Sequence, residues 1–203
     1  MGIADAIKLG VAVLADYDPI KPHVWTQLTP GQKAEALQGV EDRLAAVQGR
    51  PACRVVVELL PEATDGGYDQ LGIAINAQYL DDVARMVEAV AHEGRHAYQE
   101  QVVAGGTAPS DEGQARAWGM NLYGQQPQPG PVTHYIDHTD VLRDVIDNSR
   151  TVIGPDGRAL TPEEIAEWVY QAQPVEDDAW TYGKGILNGL YGAAAQSDTP
   201  DSV

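Results

Sequence analysis

The stretch of sequence that decides the fold is Ala91-His92-Glu93-Gly94-Arg95-His96-Ala97, which lies inside a longer segment with helical periodicity. The apolar residues of that segment recur at the spacing of one helix face, at Val83, Met86, Val87, Val90, Ala91 and Ala97. Asp81 or Asp82 can cap its start, and Gly105-Gly106 can stop it. The pattern predicts a mostly buried helix from Val83 to about Val103.

Two histidines of this helix have the spacing of metal ligands. His92 and His96 are four residues apart, so at about 3.6 residues per turn both imidazoles project from one face. Glu93 follows the first histidine, and its carboxylate can hold a water molecule beside the metal. Buried histidines without a ligand would leave ring nitrogens unsatisfied. The pattern His-Glu-x-x-His therefore predicts a Zn2+ site with two histidine ligands and Glu93 as general base.

A catalytic zinc also needs a third protein ligand and an open position. The metzincin pattern fails, because Val102 stands where that pattern requires a histidine. The aspzincin pattern is nearly present after Gly106-Thr107, but Asp111 comes one residue too late. The inverted motif is absent from the sequence. These comparisons direct the search for the third ligand to a later helix.

A later acidic segment, Gln173-Pro174-Val175-Glu176-Asp177-Asp178-Ala179-Trp180, supplies the best candidate. Pro174 starts a helix, and Glu176 lies in its first turn. Asp178 can hydrogen-bond a ligating histidine and fix its tautomer. Alternatively, Glu176 serves only as an acid that complements the helix dipole.

These two motifs together resemble the gluzincin-type metallopeptidases found among bacterial secreted toxin and injection-system effector domains. The second motif follows the first by about 80 residues, and the resemblance covers roughly residues 28–192. It implies a zincin-like fold with His92, His96 and Glu176 as metal ligands and Glu93 as the base. It also implies a peptide or polypeptide substrate and a secretion or injection apparatus as partner.

Several other side chains are open candidates for the site. His134 and His138 form a second pair four residues apart and can supply a ligand or a transition-state donor. Four tyrosines are candidates to stabilise an oxyanion: Tyr98, Tyr135, Tyr170 and Tyr182. For Arg95 we expect an ion pair near the site, and for Cys53 the role of a small buried hydrophobe.

The rest of the chain predicts an α+β fold, with strands first and helices after. A short N-terminal amphipathic helix, a loop at 17–31 and a helix at 33–47 capped by Thr29 precede strands at 53–60 and 71–76. A turn separates the strands at 61–67, and the second strand is expected at the cleft edge, where it can bind an extended peptide. Further helices are predicted at 112–123, 139–149, 162–171 and 175–191.

We therefore expect one domain over residues 1–192 and a disordered tail over 193–203. A small β-sheet of two or three strands would pack on the active-site helix, followed by a mainly helical C-terminal half. No internal repeat or domain-scale linker interrupts the sequence.

The net charge of −17 excludes a nucleic acid or an anionic membrane surface as a natural partner. A protein of this charge can accept a basic substrate. The N-terminus lacks the basic start of a secretory signal, and its apolar stretch is too short to span a bilayer. We expect synthesis in the cytoplasm without a Sec signal and, if the chain is exported, a specialised secretion or injection route.

The function predicted from these observations is a zinc-dependent metallopeptidase that hydrolyses peptide bonds with a metal-activated water, as a bacterial effector or toxin. Two alternatives stay open. One is a zinc amidase acting on peptidoglycan, and the other is a non-catalytic binding domain that a metal stabilises. The sequence does not decide the substrate, the oligomeric state or the delivery route.

Overall fold

The structure, a computed structural model, describes residues 2–105, 112–123, 158–161, 164–165, 170–171 and 173–192. Its helices are α1 (Ile3–Ala15), α2 (Pro22–Trp25), α3 (Pro30–Gln48), α4 (Val83–Val103), α5 (Glu112–Tyr123) and α6 (Pro174–Tyr191). Its strands are β1 (Val55–Glu58), β2 (Gly66–Asp69) and β3 (Gly72–Asn76). Short 3-10 turns lie at Asp18–Ile20 and Ala77–Tyr79. In these parts of the chain, no helix is long and apolar enough to cross a membrane.

The α+β class is confirmed, with a small mixed sheet in the order β1-β3-β2. β1 pairs with β3 in parallel, and β2 pairs with β3 antiparallel. The expectation that the strand at 71–76 lies at the cleft edge is wrong, because β3 is the middle strand. The edge strands are β1 and β2, and β2 begins in a region where glycine-rich sequence predicts only a turn. Its two glycines weaken the strand signal, and pairing with β3 supplies the backbone hydrogen bonds instead.

The helix boundaries follow from local chemistry that the sequence displays. Thr29 caps α3 through a capping box with Gln32, Pro30 occupies the first turn, and Gly49 ends the helix with φ of 68°. Asp82 caps α4 by accepting a hydrogen bond from the Arg85 backbone N–H. The predicted loop at 17–31 contains a 3-10 turn and α2, each with a proline in its first turn.

Some predicted segments fall outside the described residues. These are the helix at 139–149, most of the helix at 162–171 and the disordered tail at 193–203. Their predictions stay predictions, as does the single domain over 1–192.

The core lies between the N-terminal helices, the sheet, α4 and α6. Helix α4 contributes Met86, Val87, Val90 and Ala91, each fully buried. It packs against α3 on one side and α6 on another, while β2 and β3 cover a third side. A second cluster, formed by Tyr98, Val102, Trp118 and Val175, joins the C-terminal half of α4 to α5 and α6. Helix α4 is therefore enclosed along most of its length, as the sequence predicts.

A buried ion pair lies behind the metal-motif helix. Arg50 donates to both carboxylate oxygens of Glu41, at 2.5 and 2.9 Å, and the Cys53 backbone N–H donates to the same carboxylate at 2.8 Å. A Cβ atom at Gly94 would lie 2.6 Å from Arg50 Nη2 and 2.7 Å from Glu41 Oε2. The glycine between the two histidines is thus required by close approach to this pair.

We expect Gly94→Ala to destabilise the fold by about 1–3 kcal/mol, because the added methyl group displaces a buried ion pair. Thermal unfolding of the metal-free protein measures the effect. Gly31→Ala is the matched control, since Gly31 is helical and nothing lies within 4 Å of a Cβ atom there. Equal melting temperatures for the two variants would contradict the close packing at Gly94.

Candidate metal centre

Two imidazoles of α4 converge as the spacing predicts. His92 Nε2 and His96 Nε2 lie 3.1 Å apart. The rings are nearly perpendicular, with centroids 4.8 Å apart. His92 is 6% exposed, and the Trp180 ring of α6 lies 4.4 Å from it between centroids. The helix therefore presents two ring nitrogens to one point in a largely enclosed site.

Helix α6 brings a carboxylate to the same point. Glu176 Oε2 lies 3.4 Å from His92 Nε2, and Glu176 Oε1 lies 3.5 Å from His96 Nε2. Glu176 is 6% exposed, and the ligand atoms of the three residues all lie within 4.8 Å of one another. In the described part of the chain, this is the group of histidines and acids that can hold a metal ion.

The spacing of the three side chains fits zinc. Tetrahedral zinc with bonds of about 2.0–2.1 Å separates its ligand atoms by about 3.3–3.4 Å. The separations of 3.1, 3.4 and 3.5 Å agree with that value. Two imidazole nitrogens with one carboxylate oxygen are also a donor set that zinc prefers. Within the described residues the set has three protein ligands, the number that leaves a fourth position to water or substrate in catalytic sites.

The charges at this point favour a cation. Burial by itself would raise the pKa of the Glu176 carboxyl, but the neighbouring His92 and His96 imidazoles outweigh burial and hold the pKa well below the usual range. Burial disfavours the charged form of His96, yet the Glu176 carboxylate raises the pKa of that imidazole. An ionised carboxylate thus faces two imidazoles, which a bound cation would also stabilise.

Glu93 lies beside this group but is not one of its members. It packs under the edge strand, where a Cβ atom at Gly66 would lie 3.1 Å from Glu93 Cγ. The Tyr68 backbone N–H donates to the Glu93 carboxylate. Burial raises the pKa of Glu93, although His92 and His96 partly oppose that change. Glu93 is therefore a carboxylate poised to accept a proton, which is the property expected of a general base.

The prediction that Asp178 hydrogen-bonds a ligating histidine is wrong. Asp178 contacts no histidine in the described structure. It instead accepts hydrogen bonds from Arg95 Nε at 2.7 Å and from Gln99 Nε2 at 2.9 Å. Gln99 Oε1 in turn lies 2.9 Å from His96 Nδ1. The carboxylate thus reaches the histidine through an amide, because Arg95 occupies the position next to it.

Arg95 forms the ion pair that the sequence predicts, and it is 1% exposed. Its guanidinium carbon lies 4.3 Å from the Tyr98 ring, 5.3 Å from the Tyr182 ring and 5.6 Å from the Trp118 ring. The rings accept the cation on their faces. Tyr98 and Tyr182 are thus buried in the packing around Arg95, and their role as oxyanion donors stays a prediction.

Tyr170 is the described tyrosine that reaches the metal group. Its side chain is 48% exposed, and its hydroxyl forms a hydrogen bond with the Glu176 carboxylate. Tyr135, His134, His138 and Asp111 lie outside the described residues, so their predicted roles stay predictions.

Sequence reasoning missed three side chains around the centre: Gln99, Gln114 and Trp180. Gln99 follows His96 by three residues, so helical spacing could have placed the two side chains together. The contacts of Gln114 and Trp180 depend on how α5 and α6 pack against α4, and no local signal predicts that packing.

Comparison of the chain with family models, with curated proteins and with solved structures finds no match.

We expect the protein to bind one zinc ion and Glu176→Gln to lower the affinity by at least about 100-fold, because the variant replaces an anionic ligand with a neutral amide. Chelator competition with metal analysis measures this. Asp177→Asn is the matched control, since Asp177 lies next to Glu176 on an exposed face. Equal zinc affinity in both variants would exclude Glu176 as a ligand.

Proposed function

We propose that the protein is a zinc-dependent metallopeptidase with a zincin-like, gluzincin-type site. The observation that carries this proposal is the convergence of His92, His96 and Glu176 at zinc-like separations, with Glu93 buried beside them. A structural zinc site is closed by four protein ligands, whereas three ligands, the number found among the described residues, with a neighbouring carboxylate are typical of hydrolytic sites.

The residues of the chain divide the chemistry between them. When bound by His92, His96 and Glu176, zinc supplies Lewis-acid activation of water and of the scissile carbonyl. Glu93 accepts the proton of the attacking water and passes it to the nitrogen of the leaving amine. Its burial raises its proton affinity, and the Tyr68 backbone N–H holds its carboxylate in place.

The open edge of β2 supports a peptide as substrate. Asn76 N donates to Asp65 O across the β2–β3 pair. Because hydrogen-bonded pairs alternate along an antiparallel ladder, Gly66 and Tyr68 direct their backbone groups away from β3. No described strand covers that side. The Tyr68 N–H already donates to Glu93, so an extended peptide can add there as a further strand through the remaining backbone groups of this edge, next to Glu93.

Tyr170 supports the same chemistry from the other side of the site. Its hydroxyl reaches Glu176, and its ring is half exposed. A donor there can stabilise the negative charge that develops on the carbonyl oxygen during attack by water. Among the tyrosines that the structure describes, it is the one that reaches the metal group, so we favour it over Tyr98 and Tyr182 for this role.

Glu93→Gln is expected to abolish hydrolysis while the protein still binds zinc, because the amide accepts no proton. Loss of general-base catalysis corresponds to a decrease in rate of about 10²–10⁴-fold. The measurement is cleavage of a broad peptide library by wild type and variant, with zinc content determined in parallel.

Glu35→Gln serves as the control, since Glu35 is an exposed acid on α3, remote from the site in sequence. Full activity in Glu93→Gln would refute the proposed mechanism.

Cleavage of cell-wall peptides but not of proteins would select the peptidoglycan amidase instead. Zinc binding without any hydrolysis would select the non-catalytic domain. A role as a secreted effector rests on resemblance alone, and a secretion-linked gene neighbourhood would support it.

Tyr170→Phe is expected to lower kcat by about 10²–10³-fold with a smaller change in KM, because the donor acts on charge that develops in the transition state. Tyr191→Phe is the control, since its hydroxyl donates to Ile20 O at 2.9 Å, a contact that does not involve the metal group. An unchanged kcat in Tyr170→Phe would remove Tyr170 from the mechanism.

A further inference from the structure

The Gln99 side chain has only one possible orientation. Its Nε2 group lies 2.8 Å from Val175 O and 2.9 Å from Asp178 Oδ2. A carbonyl and a carboxylate oxygen only accept, so both amide hydrogens are used. A flipped amide would place its oxygen against these two acceptors. Oε1 must therefore face His96 Nδ1, at 2.9 Å.

Asp178 is fixed just as firmly as the amide that it holds. Its Oδ2 accepts from Arg95 Nε at 2.7 Å and from Gln99, while its Oδ1 accepts from Arg95 Nη2 at 3.1 Å and from Gln114 Nε2 at 3.2 Å. A carboxylate has about four acceptor positions, and all are occupied. Asp178 is only 5% exposed, so water cannot replace these hydrogen-bond donors.

From these contacts we propose that Gln99 is a positioning residue that holds the proton of neutral His96 on Nδ1. Because Gln99 Oε1 can only accept, His96 Nδ1 must donate, and the lone pair of the ring is left on Nε2. That atom faces His92 and Glu176. The Glu176 carboxylate is also an acceptor, but its Oε1 lies 3.5 Å from Nε2, farther than Gln99 Oε1 is from Nδ1, so the neutral ring keeps its proton on Nδ1 and turns its lone pair toward the metal position. The proposal rests on the proposed zinc site for its purpose, but the tautomer itself does not depend on zinc.

The arrangement also connects the two parts of the site. Gln99 binds α6 at Val175 and Asp178, on either side of Glu176 in the sequence. One amide therefore orients a ligand on α4 and, together with the Arg95–Asp178 ion pair, holds α4 against the helix that carries the third ligand. His92 has no equivalent, because its buried Nδ1 has no hydrogen-bond partner and its ring packs on Trp180.

The test uses the metal-free full-length protein labelled with ¹⁵N, at a pH where imidazoles are neutral. Two-bond ¹H–¹⁵N correlation spectra report which ring nitrogen carries the proton, and His96→Gln assigns the signal. In wild type we expect His96 as the Nδ1–H form. In Gln99→Met, which keeps the side-chain length but removes both partners, we expect a mixture of tautomers and a zinc affinity about 10–100-fold lower.

Gln101→Met is the matched control on the same helix, and it should leave both the tautomer and the affinity unchanged. If Gln99→Met does not fold, the wild-type spectrum alone still tests the tautomer, because an Nδ1–H form is expected there. An Nε2–H signal in wild type, or an unchanged tautomer in Gln99→Met, would overturn the proposal. If wild type does not bind zinc but His96 shows the Nδ1–H form, the proposed function is refuted and the positioning role of Gln99 stands.

Discussion

A buried ion pair between Arg95 and Asp178 joins the helix that carries both histidines to the helix that carries Glu176. Removing one partner of such a pair costs about 3–5 kcal/mol, because the other charge stays buried without compensation. Arg95 is enclosed by three aromatic rings, and Asp178 uses all of its acceptor positions. The relative position of α4 and α6, and with it the convergence of the metal group, depends on this contact.

The opposite side of α4 is constrained in a similar way by Glu41 and Arg50. Their ion pair lies against Gly94, and it also binds the backbone of Cys53 just before β1. The sheet is held to α3 at the same point, since Gln38 bonds the backbone of Cys53 and of Val55. Buried charges are weak sources of net stability, but their geometry is specific. They fix β1 against α3, and β3 connects β1 to β2, whose Gly66 lies beside Glu93.

The two carboxylates of the site differ because their surroundings differ. Glu176 lies against two imidazoles that stabilise its ionised form, whereas burial dominates at Glu93 and favours its protonated form. One acid is thus suited to remain charged as a ligand, and the other to exchange a proton. Environments that separate the pKa values of neighbouring acids are a general way in which active sites divide roles between like residues.

Local sequence patterns were sufficient to predict many of the helices and most of the candidate metal ligands. The spacing of His92 and His96, the caps of α3 and α4 and the apolar periodicity of α4 are encoded within a few residues, since helix geometry alone fixes them. Even Glu176 could be proposed from its place in a first helical turn. The edge position of β2, the partner of Asp178 and the use of Gln99 could not, because each depends on contacts between residues far apart in the chain. The sequence by itself determined which side chains can bind a metal, and the tertiary structure decided which groups orient them and which strand edge lies beside them.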